Sequence, residues 1–425
     1  MSIIIPANSA AGGGYEVSNS LRFNSGSSDY LNRTLGTPTL ATKNTLSIWF
    51  KKAKLGADQS MILGNGNQGG INLHNDDGVV FYNAGGSLRT NRKLRDTSAW
   101  YNLVVVTDTT LNTATDRLKM YINGVQETSF SSSGNPSQNA ASNLGSATAH
   151  NIGVNNSPAN YFNGYMSEFV FIDGTALDPT SFGEFDEDSS IWKPIDVSGL
   201  TFGNNGFYLE FGNSGALGTD SSGEGNTFAV NNLTAIDQST DTCTNNFATM
   251  NPLDNYWQGS AFSEGSLTVT TTNASQSYNT SSIMVSSGKW YVECKPVSGG
   301  SEPEIGIFSK LTGANAGNNS QLSYNANGYA YRASDPGSVW YNGSAVSTSF
   351  SQYANGDIVG IALDLDNNKL YFSKNGTFGN SGNPTSGATG TGAISIVAPA
   401  STTLGAYGFA ANENFNDQNK VFSWN

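Results

Sequence analysis

Histidine and cysteine are almost missing from this chain, with two of each among 425 residues. His74 and His150 lie far apart without a ligand set at metal spacing, so neither a metal centre nor nucleophilic catalysis is indicated, and both are expected in solvated loops. Cys243 and Cys294 form no disulfide framework and no zinc spacing, and are expected as free thiols. Charge is scarce too, at 12% of residues, and one-sided, with a formal net charge of -13. Such an acidic surface repels phosphate backbones and anionic lipid heads, which argues against nucleic acid and membranes as partners. Long apolar runs are also lacking. The start, Met1-Ser2-Ile3-Ile4-Ile5-Pro6, has no basic segment and too short an apolar run for an export signal or a membrane span.

What the chain has instead is glycine, 49 residues of it, and aromatics at 11%. That mixture reads as short strands joined by many turns. Its length exceeds what one hydrophobic core usually serves, so two domains are expected. Period-2 segments agree with strands: Leu46, Ile48 and Phe50 on one face, then Leu118, Met120 and Ile122, then Met166, Val170 and Ile172. Asn123-Gly124 closes a hairpin, because both residues tolerate positive φ. The one expected helical turn lies near Asp178 to Phe185, with Asp178 as cap and Pro179 at the first position. Phe207 to Phe211 is expected to be the last strand of the first domain, followed by a polar stretch. The pattern restarts at Tyr256, with Trp290, Val292 and Cys294 on one strand face, Ile305 and Ile307 on another, and Leu370 and Phe372 on a third. The expected fold is all-β, two antiparallel β-sandwiches of jelly-roll type in tandem: residues 1–232, a linker over 233–250, and residues 251–425.

Several apparent motifs fail on mechanism. Gly64-Asn65-Gly66-Asn67-Gln68-Gly69 has dinucleotide-fingerprint spacing, but strand-like Ile71-Asn72-Leu73 follows where a helix N-terminus is needed, so a hairpin turn is expected. Glu184, Asp186 and Asp188 have the spacing of paired glycosidase carboxylates but sit among loop residues, which favours an exposed acidic turn. Asp364, Asp366 and Asn368 start like a calcium loop, yet Lys369 stands where glycine is needed and Asn375 where a bidentate glutamate belongs. No catalytic residue and no metal ligand is assigned, and no enzyme activity is expected.

The constellation that suggests binding is aromatic: Tyr329, Tyr331, Trp340 and Tyr341, with Arg332 and Asp335, in a stretch rich in glycine, serine and asparagine. Exposed loop aromatics stack on the C–H faces of sugar rings while nearby polar groups take the hydroxyls. The competing reading has Tyr329 and Tyr331 sharing a strand face on the core, with Trp340 as a lid.

Three resemblances add to this reading. The segments Thr45 to Lys51, Trp100 to Val105, Leu118 to Gly124 and Phe162 to Glu168 resemble the laminin-G-like, concanavalin-A-like sandwich family. Gly288 to Glu293, Gly356 to Gly360 and Leu370 to Gly376 look like the SPRY (B30.2) sandwich, whose domains bind through loops at one rim. Ile4 to Ser9 and Leu217 to Asn226 are similar to virion proteins of marine tailed phages, in which such modules occur together on fibre, appendage or capsid-associated proteins. The resemblance implies a virion protein, assembled in host cytoplasm and acting outside it, whose partners are other virion proteins and a host-surface polysaccharide or receptor. A homo-oligomer is expected. A capsid-decorating or architectural role is the alternative, and a glycan depolymerase the third reading. No cofactor is expected; calcium enters only through the resemblance, since laminin-G-like domains often carry it at the sandwich rim, where Asp76-Asp77 would contribute ligands.

Overall fold

The computed structural model describes residues 14–255, 260–271, 278–299, 303–310, 321–334, 336–413 and 420–425. The chain divides into two units that meet in sequence at Phe247 and Ala248. Both are all-β and every pairing of named strands is antiparallel among the described residues. The resemblance over Ile4 to Ser9 and the expected restart at Tyr256 lie outside those residues.

In the first unit the long strands Lys43–Lys52, Trp100–Asp108 and Gly164–Asp173 form the centre of one sheet. A second sheet runs from Phe130–Gly134 through Gly69–Leu73 and Gln59–Gly64 to Ala229–Asn231. Leu46, Ile48 and Phe50 face a core shared with Leu118, Met120 and Ile122 from the first sheet and Ile62, Ile71 and Phe81 from the second. Fully burying each such side chain contributes roughly 1.5–3 kcal/mol. Asn123 and Gly124 both take positive φ, 50° and 73°, as the hairpin requires. Gly64 to Gly69 is a hairpin connection between Gln59–Gly64 and Gly69–Leu73, as expected. The helical turn is a single 3-10 turn, Pro179–Ser181, with Asp178 at the cap position but no side-chain capping bond.

One face assignment is corrected. Met166 does face the core, but its partners on that face are Phe169 and Phe171. Val170 and Ile172 face the opposite side, against Phe182, Phe202 and Tyr208. The cause is a bulge between Ser167 and Val170, where Glu168 adopts φ 47° and shifts the alternation by one residue.

The end of the unit also differs from expectation. Phe207–Leu209 is followed by two more strands, Ala229–Asn231 and Gln238–Ser239, the latter pairing with Ser20–Phe23. Residues 233–247, expected as linker, therefore belong to the first unit. Polar as it is, this segment completes the unit's charge balance, because buried Asp241 supplies the counter-charge to Lys51, which is only 1% exposed. Lys51 Nζ donates to Asp241 Oδ2 at 2.8 Å, Asn246 Oδ1 at 2.8 Å and the Phe247 carbonyl at 2.6 Å.

Among the described residues the first unit adds a two-stranded sheet, Gly183–Phe185 with Trp192–Pro194, and the second unit is built on two sheets. One runs in the order Met250–Asn255, Tyr278–Ser281, Gly408–Glu413, Pro303–Phe308, Gly328–Arg332, Gly337–Tyr341, Ser344–Phe350. The other is centred on Val421–Trp424, Lys289–Ser298, Val359–Asp364 and Lys369–Lys374. Cys294, Ile305, Ile307, Leu370 and Phe372 share the core between them, with Trp290 and Val292 packed at its margin. Cys243 and Cys294 are free thiols.

Candidate functional site

The strands Gly328–Arg332 and Gly337–Tyr341 carry most of the residues singled out by sequence, and their alternation splits that set in two. Tyr329 and Tyr331 point into the core, at 4% and 1% exposure. Tyr331 packs on Phe350, Tyr353 and Phe372 and donates its hydroxyl proton to the Ser351 carbonyl. Tyr329 stacks on half-buried Tyr341 at 4.3 Å, directly across the strand pair. These three are packing residues, which corrects the expectation that they form an exposed loop site. Glycine and serine around them suggested loops; they belong to tight strand connections instead. Asp335 lies outside the described residues.

Arg332 and Trp340 project from the opposite face. The Arg332 guanidinium lies 4.7 Å from the centre of the Trp340 ring, and Trp340 stacks in turn on exposed Tyr324 at 6.0 Å. Beneath them Arg332 Nε is 3.3 Å from Oε1 of Glu304, which has no solvent exposure. Ser323 donates to Glu304 through its hydroxyl and backbone N–H, and Asn412 Nδ2 donates at 3.0 Å. Burial raises the Glu304 pKa, while the Ser323 donors and the Arg332 charge oppose that rise. The result is a braced aromatic stack whose guanidinium is already committed.

The other sheet carries a feature that no sequence motif pointed to. On the outer face of Lys289–Ser298, Val359–Asp364 and Lys369–Lys374, register aligns Tyr291 with Ala362 and Tyr371, and Lys289 with Asp364 and Lys369. Tyr291 is 54% exposed although it sits mid-strand. Phe378 meets Tyr371 edge to face, and the loop through Pro384 and Thr385 closes the far wall. Together they bound an open groove of about 410 Å³, within the size range of small-ligand sites. Small Ala362 forms the floor. At Gly360 a Cβ would come within 2.5 Å of the Tyr291 hydroxyl, so the absent side chain lets that ring lie across the neighbouring strand. The Tyr291 hydroxyl donates to Glu293 at 2.8 Å. A sequence signal exists for it: in the period-2 pattern of Trp290, Val292 and Cys294, Tyr291 is a large aromatic on the solvent side.

The remaining motifs fall into place by their partners. Asp186 accepts from the Ser189 backbone and hydroxyl and pairs with Lys193, which holds its carboxyl down at about 2, while Glu184 also pairs with Lys193. Asp364 and Asn368 bracket the turn between two antiparallel strands. Asp77 is bound by Lys52 at 2.9 Å and Arg95 at 3.1 Å, and Asp76 by Lys93, Arg89 and His74. The cations opposite the Asp76-Asp77 pair are thus the protein's own. His150 is not a solvated loop residue: it is fully buried in Ala149–Ile152, with Nδ1 2.9 Å from the Thr148 carbonyl and Nε2 accepting from the Gly145 N–H. A neutral ring protonated on Nδ1 satisfies both bonds, and burial lowers its pKa.

Residues 25–180 match the family model of the concanavalin A-like lectin/glucanases superfamily. This span lies inside the first unit. No curated protein matches the chain. Among solved structures the chain is similar to the SPRY domain of human HERC1, at 15% identity over 41% of this chain and 96% of that one, with a TM-score of 0.32. It is similar to the TRIM65 PSpry domain at 13% identity, 42% and 89% coverage and a TM-score of 0.31. It is also similar to a Bacteroides ovatus protein described as a candidate carbohydrate binder, at 14% identity, 46% and 56% coverage and a TM-score of 0.31.

Proposed function

We propose that this chain is a non-enzymatic binding module of a tailed-phage particle, presenting its second unit to a host-surface glycan or receptor. The observation that carries the reading is the open groove beside Tyr291, where apolar and aromatic side chains line a concave surface and polar groups stand at its ends. Sugar rings offer apolar C–H faces to such aromatics and hydroxyls to such polar groups. The lectin-type match over 25–180 agrees with a binding role. The virion setting rests on the sequence resemblance of Leu217 to Asn226 and Ile4 to Ser9. No helix among the described residues is long and apolar enough to cross a membrane.

Binding without covalent chemistry is the mechanism. Of the carboxylates with glycosidase spacing, Glu184 and Asp188 are exposed, and Glu184 and Asp186 pair with Lys193, so the trio lacks the sheltered setting that keeps a catalytic acid protonated. An architectural role as a homo-oligomer or capsid decoration draws on a different observation: Val125, Phe185 and Ile191 of the first unit are 51%, 49% and 57% exposed, apolar surface that neighbouring chains would cover.

The test is immunogold labelling of intact particles, together with binding of the purified chain to host cells and extracted polysaccharide. Label on tail tips, with saturable binding lost in Tyr291→Ala, is expected. Label spread over the capsid with no cell or glycan binding would overturn the receptor reading and leave the architectural one.

A further inference from the structure

We infer that the groove beside Tyr291 selects a pyranose bearing an anionic group at C6, such as a uronic acid residue, through Lys289. This rests on the glycan reading above and specifies its ligand.

The argument begins with register. Lys289 stands two residues before Tyr291 on one strand, so both side chains leave the same face with their backbones about 7 Å apart. A ring stacked on Tyr291 thus has its exocyclic substituent within reach of a long, flexible ammonium. Lys289 is itself a wall of the groove, and its side chain is 55% exposed.

Asp364 sets the charge at that end. It lies directly across from Lys289, with Oδ2 3.3 Å from Nζ, and only 4% of its side chain is exposed. The backbone N–H and Nδ2 of Asn367 also donate to it, at 3.1 Å and 2.9 Å. A buried carboxylate filled in this way acts as an anchor for the lysine; it has little left to offer a sugar hydroxyl. Lys369 flanks Asp364 from the other side, with Nζ on the Ser395 hydroxyl at 3.1 Å. Asp366, exposed and accepting from the Gly288 N–H at 2.8 Å, brings a second carboxylate to this end, so its charges balance, and of the two ammoniums it is that of Lys289 that lines the groove, beside the buried Asp364. An ammonium carries three donors and Asp364 takes one, so the others suit an anion at the groove mouth. The rest of the groove, Ala362, Tyr371, Phe378 and Pro384, offers apolar surface to the ring.

The test uses the full chain and two matched probes, trigalacturonate and the galactose trisaccharide of the same linkage, which differ only in the oxidation of C6. Calorimetric titration is expected to show at least tenfold tighter binding of the acid. Lys289→Gln should bring the two within about twofold of each other, and Tyr291→Ala should weaken both by tenfold or more. Equal affinities in the unaltered chain, or a preference that survives Lys289→Gln, would overturn the selection of an anionic sugar while leaving glycan binding intact. Failure of both probes to bind, or binding indifferent to Tyr291→Ala, would overturn the groove's glycan reading and this inference with it. Both side chains are substantially exposed, so retained folding is expected and is checked by the unfolding midpoint.

Discussion

Tyr208 donates its hydroxyl proton to the carboxyl of Glu168, at 2.8 Å and 2.9 Å from its two oxygens, inside the first unit. Tyr15 reaches the same carboxyl at 3.1 Å. Burial pushes the Glu168 pKa up to about 7, and the two tyrosine hydrogen bonds only partly oppose it. The folded chain therefore keeps a proton that the unfolded chain, with a value near 4.5, gives up. The stability tied to this group is complete below about pH 4.5 and is lost as pH rises through 7, a change of about 3 kcal/mol. Glu168→Gln should flatten that slope, gaining relative to the unaltered chain between pH 5 and pH 8. Urea unfolding of both proteins at the two pH values checks this.

Asp241→Ala should destabilise the first unit by about 3–5 kcal/mol, because it leaves Lys51 charged and buried and also removes the acceptor for Trp100 Nε1. Replacing the pair together, Lys51→Met with Asp241→Leu, should recover most of the loss. Chemical denaturation followed by tryptophan fluorescence separates the single from the double change.

Arg332→Lys should fail to replace arginine. The flat guanidinium pairs with Glu304 while lying against the Trp340 ring, and an ammonium cannot present both a planar face and a fork. A loss of about 1–2 kcal/mol is expected for lysine and about 3 kcal/mol for alanine, which leaves Glu304 without its cation. Thermal unfolding gives the ranking. Trp340→Ala should leave groove binding unchanged while lowering stability, since its ring braces Arg332.

Gly64→Ala should cost roughly 1–3 kcal/mol, because a Cβ there would come 2.2 Å from His150 Nε2. Adding His150→Ala should make the glycine change nearly neutral, a coupling that a double-mutant cycle measures.

Strand faces were legible wherever alternation ran unbroken, as in Leu46, Ile48 and Phe50, because a core face repeats every second residue. Met166 to Ile172 misled for a local reason: an extra residue at Glu168 changes the phase, and nothing in the composition marks a bulge centred on glutamate. The stretch 233–247 read as linker because its burial depends on pairing with Lys51, a partner 190 residues away. At the candidate site the aromatic cluster was found, but Tyr329, Tyr331 and Tyr341 turned inward once their turns proved to be strand connections. The groove was hidden because three strands and a loop build it, and no single segment contains more than part of it.

The first described strand of the first unit, Ser20–Phe23, pairs with Gln238–Ser239, and the Val17 N–H is bonded to the Thr244 hydroxyl. Beginning and end of the unit are therefore stitched side by side. On a ribosome this imposes an order: Ser20–Phe23 waits, with one edge open, until more than two hundred further residues have emerged. A chain halted before the segment around Asp241 lacks the carboxylate that pairs with Lys51 in the folded unit.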